Sequence, residues 1–506
     1  MTNQRKLGAL LSYVTIALQN AVGLVYTPFL IRMLGKSDYG LYSLVTSIIS
    51  YLTLLDFGFA DAVVRFTAKY RAEGKTREQY SLFGLFSVVY GVIAFLALIL
   101  GLVFVFHLDS FFADSMTAEE IHRAKIMLLC LVVNLALTFV FSVYKAILDA
   151  YEQFVFVRVL NILRIVLNTG IMLLLLNLGF KAVALVVLIT ILNVLILISN
   201  FLYCFAKLKI KVFFRNIDWS KLKEMASYSV FIFLNGCISQ IYWFSGQFIL
   251  GIYHGAKVIA VYAIAIQLKS MFSHFTAAVN SVFFPKITAL TTRPDSAPEI
   301  SNIFLKIGRL QYLVISLILS GFILFGREFI LLWAGDGYQE AFAITLIFFV
   351  ALTPAQTQQI GWHVCKARNH LKFRTYTYFA IAILCLAGQI FGSKYYGMAG
   401  NAVSIAAALL LMEGLILNIY YQKKEQIDIF AFWKNFARLS LVPCVCVAGC
   451  LLVKTQVFFD SWFKLLSGIA AYSFVFFVLS YLFSLNEYEK GLLRPLTKRL
   501  GRLGFR

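Results

Sequence analysis

The chain has 506 residues, 61% hydrophobic and 14% charged, with a mean hydropathy of +0.82. Soluble proteins carry about a quarter of their residues as charges, and here the apolar residues run in blocks of the ~20 needed to cross a ~30 Å hydrocarbon layer, so a soluble globular fold is excluded. The net charge of +21 would suit nucleic acid, but its placement does not, and the alternating strands of a transmembrane β-barrel are missing.

About fourteen helical spans are predicted, at 8–33, 40–62, 80–106, 124–148, 155–177, 181–205, 226–250, 257–285, 304–326, 340–364, 374–392, 397–421, 435–455 and 463–485. The first follows the basic start "MTNQRKLGAL"; it is full length with no A-x-A-like exit, so it is expected to stay as a span and not to be a cleaved signal. The regions 155–205 and 374–421 are each split by a Gly-containing turn, "NLGFKA" and "YYGMAG". With alternate loops on opposite sides and the N-terminus inside, about 35 of the 45 Lys and Arg fall in or beside inside loops, which is the positive-inside pattern and puts both termini in the cytoplasm. The basic excess is then an orientation signal with scope for contact to anionic lipid headgroups, and no nucleic-acid partner is expected.

The loops are short, the longest at 107–123 and 326–340, leaving no room for a soluble catalytic domain. No Ser/His/Asp arrangement, phosphate loop or metal-spaced cluster occurs. Cys444, Cys446 and Cys450 lie in an apolar span and read as small packing residues. No catalytic residue, metal or cofactor is expected, and chemistry placed between helices points to transport.

An internal repeat runs through the chain. Ser12, Tyr13 and Asn20 align with Ser227, Tyr228 and Asn235; Gly35 and Tyr42 align with Gly255 and Tyr262; Gly179 aligns with Gly397. The offset is steady, and six spans per unit make the repeats parallel, an arrangement in which substrate sits between halves that rock against each other. The expected organisation is a six-helix lobe at 1–205, a cytoplasmic amphipathic linker at 206–225, a second six-helix lobe at 226–421, and two further helices with a basic tail at 422–506.

Several spans carry a polar face. Lys269, Ser273, Thr276 and Asn280 recur at helical spacing, and Lys269 lies about 16 Å into its span at 1.5 Å per residue. An ionisable residue at that depth is read as a functional position, with a structural ion pair in the bundle as the alternative. Asn235, Ser239 and Tyr242 form a second stripe. Gln356, Gln359 and His363 form a third, after an expected kink at Pro354. Both could equally be helix–helix hydrogen bonds. Glu413 reads as a coupling carboxylate or a buried partner for a basic residue. Lys145, Asp149, Arg158 and Arg164 cluster near the ends of spans four and five, as a surface ion network or a basic vestibule. In "LTLLDFGFADAVVRFTAKYR" (52–71), Asp56 extends a helical stripe of Tyr42, Thr46 and Thr53, whereas Asp61 and Arg65 are spaced as a local pair at the membrane exit.

The segment 27–75 resembles the N-terminal region of Wzx-type polysaccharide flippases. Its motif falls here on Pro28, Arg32, Leu34, Gly35, Tyr39, Gly40, Tyr42, Asp56, Gly58 and Arg65, and a second run falls on Tyr262, Ala265, Lys269 and Pro285. The resemblance implies an all-α polytopic fold like the multidrug/oligosaccharidyl-lipid/polysaccharide exporters, with about fourteen transmembrane helices: two parallel six-helix repeats around a V-shaped cavity, plus two C-terminal helices. It implies flipping of undecaprenyl-diphosphate-linked oligosaccharide from the cytoplasmic to the outer leaflet of a bacterial inner membrane, for O-antigen, capsule or exopolysaccharide. Lys269 and the polar stripes, with Asn20, then become cavity candidates. Asp56, Asp61, Arg65, Glu413, Arg32 and Arg164 become candidates for a cytoplasmic gate or for coupling, with Asp56 or Glu413 as a proton-coupled carboxylate. Expected partners are the lipid-linked oligosaccharide, membrane lipids, and the polysaccharide polymerase and chain-length machinery. The alternatives are a cation-coupled multidrug exporter, a peptidoglycan lipid-precursor flippase, a membrane enzyme of polysaccharide assembly, and a non-transporting scaffold. The deep Lys269 disfavours the first and the short outside loops the enzyme.

Overall fold

The computed structural model describes residues 2–214, 220–291, 297–368, 370–454 and 459–491, with side chains described in these segments except at 2, 3, 5, 6, 9, 220, 221, 223–228, 275–289, 291, 453 and 454. The described residues are almost wholly helical, without a strand. In order, the helices are α1 (Thr2–Leu52), α2 (Phe59–Ala72), α3 (Thr76–Phe112), α4 (Ala118–Ala150), α5 (Phe154–Asn177), α6 (Ala182–Ala206), α7 (Ser220–Trp243), α8 (Ser245–His254) and α9 (Ala256–Thr291). They continue with α10 (Ala297–Ala334), α11 (Ala341–Thr357), α12 (Gln359–Ala367), α13 (Leu371–Leu409), α14 (Leu417–Lys423), α15 (Ile429–Lys454) and α16 (Trp462–Leu479). Among the described residues ten helical stretches are long and apolar enough to cross a membrane, or eleven if the bent pair α11–α12 is one span. Every predicted span overlaps a helix. The stretch Leu10–Ala72 has 63 residues, about 95 Å of helix at 1.5 Å per residue, so it is far too long for one crossing.

Its breaks explain how it divides. At Gly35 the backbone takes φ 75, ψ 173, with no atom within 4 Å of a would-be Cβ, so the glycine serves backbone conformation and not packing. The kink falls in the gap predicted between spans one and two. Gly255, aligned with it in the expected repeat, takes nearly the same values, φ 77 and ψ −177. The turn predicted at "YYGMAG" is a kink inside α13 at Gly397, φ 59. The helix predicted unbroken over 40–62 is not continuous. After Leu52 comes a 3₁₀ turn, Thr53–Asp56, and then Phe57 and Gly58 in the left-handed region at φ 51 and φ 76. Asp56 therefore does not prolong the α1 stripe in helical register.

The chain forms two compact units. The first comprises Met1–Ala263 and Ala382–Asn401, the second Ile264–Ile381 and Ala402–Arg506. In the first unit α4 is central, packed by α3, α6, α1 and α2, while α5 lies along α1. Apolar side chains such as Phe83, Phe86, Met127, Leu128 and Val143 are fully buried there. Polar ties occur where helices meet. Asn193 on α6 donates to Asn134 Oδ1 (2.7 Å) and Thr138 Oγ1 (2.9 Å) on α4. Arg123 on α4 pairs with the buried Asp38 of α1 at 2.7 Å.

In the second unit α10 packs against α15, α11 and α16. Leu324, Phe325, Val442, Cys446, Leu465, Tyr472 and Phe476 make its core. The two C-terminal helices dock on α10 through polar contacts as well. Tyr472 Oη donates to Ser320 Oγ at 2.5 Å, Tyr312 and Ser440 share a hydroxyl bond of 2.6 Å, and Arg309 holds Glu489 through Nε (2.7 Å) and Nη2 (3.1 Å).

Candidate functional site

In the second unit, two stripes that are far apart in sequence come together. Ser273 on α9 accepts a hydrogen bond from Gln356 Nε2 on α11 at 2.9 Å, and Gln356 Oε1 accepts from Gln359 Nε2 on α12 at 2.6 Å. Ser273 also donates to the carbonyl of Lys269, one turn earlier, at 3.2 Å. The chain is short because α11 ends at Thr357 and α12 leaves at a 40° bend, with Gln358 N still bonded to Pro354 O at 3.1 Å. The kink expected at Pro354 is not found there: α11 runs through the proline, whose missing N–H affects the turn before it, and the bend comes at Gln358, four residues later. Lys269 and His363 are half-buried beside these groups in sequence. The side chains of Thr276 and Asn280, which would continue the α9 stripe, lie outside the described residues.

Glu413 has a partner at the first residue of the span predicted at 374–392, one given no role from the sequence. Arg374, in the first turn of α13, reaches Glu413 Oε1 at 3.3 Å through Nη2, and both side chains are largely buried. Tyr378 donates to the same carboxylate, Tyr421 bonds to Arg374, and the guanidinium carbon lies 5.1 Å from the Tyr378 ring centre. Glu413 stands in a π-helical stretch, Leu410–Ile416, an irregularity that occurs mostly as single turns and often at functional positions. A buried carboxylate needs a counter-charge and donors, which was the available signal for Arg374. A second buried acid, Glu425, is held by Arg368 at 3.0 Å and His370 Nδ1 at 2.7 Å, clasping the end of α12 to the turn after α14.

In the first unit the candidates are spread over several helices. Asp56 accepts from Tyr90 Oη at 2.7 Å and from the backbone N–H groups of Gly58 and Ala60. The carboxylate thus sits against the start of α2, where the helix dipole favours negative charge. Asp61 and Arg65 are exposed on α2, one turn apart, and Arg32 is exposed on α1. Asn20 is half-buried. Asn235 is exposed and donates to its own helix at Phe231 O, 2.7 Å; Ser239 is exposed, and Tyr242 is buried. Arg164 is half-buried on α5, ten residues from the helix start at Phe154, or about 15 Å at 1.5 Å per residue. It is deeper than the span-end position the sequence reading gave it. One turn on, Asn168, which the reading passed over, has a buried Oδ1 with no hydrogen-bond partner.

Several residues of the 27–75 and 262–285 motifs have structural duties. A Cβ on Gly40 would stand 1.9 Å from the carbonyl oxygen of Ala256. Tyr262 is buried and donates to Asn401 Oδ1 at 2.8 Å, while Asn401 Nδ2 donates to Ser393 Oγ at 2.8 Å. Among the described residues no group of His, Cys, Asp and Glu is placed to hold a metal.

The chain matches the family described as "Polysaccharide biosynthesis protein" over residues 7–291, more than half its length. It is 22% identical over 402 residues to a protein of Shigella flexneri described as "Putative O-antigen transporter", covering 78% of this chain and 92% of that one. Among solved structures it is similar to the lipid II flippase MurJ in an inward closed conformation, with a TM-score of 0.73, 16% identity, and coverage of 94% of this chain and 98% of that one. It is also similar to an outward-facing multidrug resistance MATE transporter of the MOP superfamily, with a TM-score of 0.51, 13% identity, and coverage of 86% and 95%. These two likenesses give the fold, and all three relatives are described as transporters or flippases, none as an enzyme. The chain belongs to the family described as "Polysaccharide biosynthesis protein".

Proposed function

We propose that this protein is a flippase for a polyprenyl-diphosphate-linked oligosaccharide, moving the sugar headgroup from the cytoplasmic to the outer leaflet of a bacterial inner membrane, with both termini cytoplasmic. The observation that carries the reading is the similarity to the Shigella flexneri protein over 92% of that protein's length, joined to membership of the polysaccharide biosynthesis family. The physical chemistry agrees. A diphosphate-sugar headgroup is anionic and rich in hydrogen-bonding groups. Lys269, in the middle of α9, lowers the cost of carrying phosphate through a low-dielectric path. The linked hydroxyl and amides of Ser273, Gln356 and Gln359 offer replacements for sugar hydration.

Arg164 and Asn168 on α5 supply a second cation and an acceptor with the same chemistry. Glu413 is the better coupling candidate of the two carboxylates, since its ion pair sits in a helical irregularity, while Asp56 is engaged in closing the break before α2. Asp61 and Arg65 serve as a gate at the membrane exit. The polymerase and chain-length machinery are the proposed downstream partners, because a flipped repeat unit must be consumed by polymerisation.

The test is deletion of the gene followed by measurement of lipid-linked oligosaccharide in each leaflet. Accumulation on the cytoplasmic side with loss of surface glycan is expected. Normal surface glycan without accumulation overturns the reading. Complementation of a strain depleted of its peptidoglycan-precursor flippase would instead assign the chain to that substrate.

A further inference from the structure

Residues 207–214 leave α6 without helical structure and lie along the start of α3. Phe213 N donates to Tyr80 O at 3.1 Å, and the two rings meet edge to face at 5.5 Å and 88°. Ile210 is 3% exposed and anchors the segment. The approach to α3 is so close that a Cβ on Gly84 would stand 1.9 Å from the Phe213 carbonyl oxygen. This stretch is therefore a fitted ledge against α3 and not a loose tether.

Between ledge and helix is a concavity of about 860 Å³, lined by Thr76, Arg77 and Tyr80 from α3 and by residues 211–214. Arg77 and Lys211 bring two cations to it, while Glu78, beside Arg77, is not part of the lining. Lys207 and Lys209 are exposed on the same segment. Phe214 is 62% exposed at the ledge's far end. The membrane-crossing stretches Thr76–Phe112 and Ala182–Ala206 both end here, so cations and an exposed aromatic ring share the boundary between hydrocarbon and water. Lysine, arginine and aromatic side chains all favour that level.

We propose that this ledge binds the headgroup phosphate of an anionic membrane phospholipid, with Arg77 and Lys211 taking the phosphate and Phe214 lying at the glycerol and upper acyl-chain level. The exposed ring and the position at the span ends favour a lipid over a free phosphate ion. The site rests on the chain's crossing a membrane and does not depend on the flippase reading.

The experiment is native mass spectrometry of the detergent-purified full chain titrated with phosphatidylglycerol, with phosphatidylcholine and inorganic phosphate as separate arms. The first phosphatidylglycerol is expected to bind more tightly than phosphatidylcholine, and inorganic phosphate at equal concentration is expected not to displace it. Each interfacial cation contributes about fivefold, so R77A/K211A should weaken the first binding step by about 25-fold. K423A/K424A removes two exposed lysines from the other unit and should leave it within about twofold, below even one interfacial cation. Gly84→Ala changes no charge but pushes a methyl group into the ledge, and should weaken phosphatidylglycerol without affecting phosphatidylcholine. Equal losses in the two double-lysine/arginine variants would mean a diffuse basic surface and overturn the site. Displacement by inorganic phosphate would make it a free-anion site and overturn the lipid assignment.

Discussion

Replacing Glu413 by Gln removes one charge from the pair with Arg374 while keeping the side chain's size. At 3.3 Å and an effective dielectric constant of about 20, the Coulomb attraction is about 5 kcal/mol. Desolvation of both ions offsets much of that, so the pair's net contribution is small. Breaking it is different, because the guanidinium is left buried with Tyr421, the Tyr378 ring and a neutral amide beside it but without its counter-charge, and uncompensated buried charges cost about 3–5 kcal/mol. E413Q and R374Q should each lower the thermal unfolding midpoint of the detergent-purified protein. R374Q/E413Q, carrying no charge, should recover most of the loss, because a buried pair replaced as a whole is often neutral. The double-mutant cycle should show a coupling of at least 2 kcal/mol, within the range seen for residues in direct contact. Surface glycan production separates stability from coupling. If the pair moves during transport, the double variant is stable but inactive. A cost below about 1 kcal/mol for either single variant, the value for solvent-exposed pairs, would refute the claim that this pair is sequestered from water.

Three further outcomes follow from the geometry. Lys269→Ala should abolish complementation of a deletion strain at normal membrane abundance, while Lys269→Arg should retain part of it; full activity of the alanine variant, measured by surface-glycan staining, reduces Lys269 to a structural residue. Gly35→Ala should cost about 1–3 kcal/mol from backbone strain alone, since nothing lies within 4 Å of its Cβ position; Gly40→Ala, aimed at the Ala256 carbonyl at 1.9 Å, should cost at least as much through overpacking, and protease resistance in the membrane reads both. Tyr90→Phe removes a 2.7 Å hydrogen bond to Asp56 and should cost about 1.5–3 kcal/mol, the range for a bond to a charged group, seen as a lowered unfolding midpoint.

The helices and their principal breaks were legible in the sequence, because a bilayer demands long apolar runs and glycine marks where they stop. Gly35 and Gly397 fall where the reading divided its spans. The meeting of Ser273 with Gln356 was half legible: each stripe was visible through its period, but which stripes face each other is decided by packing between helices that are 83 residues apart in sequence. The break at 53–58 was missed because its residues, "TLLDFG", are apolar enough to continue a helix; only Gly58 hinted otherwise, and Asp56 looked like part of a stripe when it actually bonds to the next helix. Arg374 was missed because a basic residue next to a basic loop reads as an orientation signal. Burial in the folded chain turned it into the partner of an acid 39 residues away.

The family motif and the proposed cargo contacts therefore fall mostly on different residues. Gly35 sets a kink, Gly40 lets α1 approach Ala256, Gly58 ends a turn, and Tyr262 binds Asn401. Each supports the helix framework, so each would be needed whatever molecule is carried, and a motif made of such residues identifies the framework. Lys269 is the exception in the second run, while Ser273, Gln356 and Gln359 stand outside the motif. Exchanging Ser273, Gln356 and Gln359 for the residues of a relative that carries a different glycan should shift which oligosaccharide is accepted, at a stability cost of about 1–3 kcal/mol where the hydrogen bonds of the buried Gln356 are not replaced. Exchanging Gly35 or Gly40 should lower stability and leave the accepted oligosaccharide unchanged.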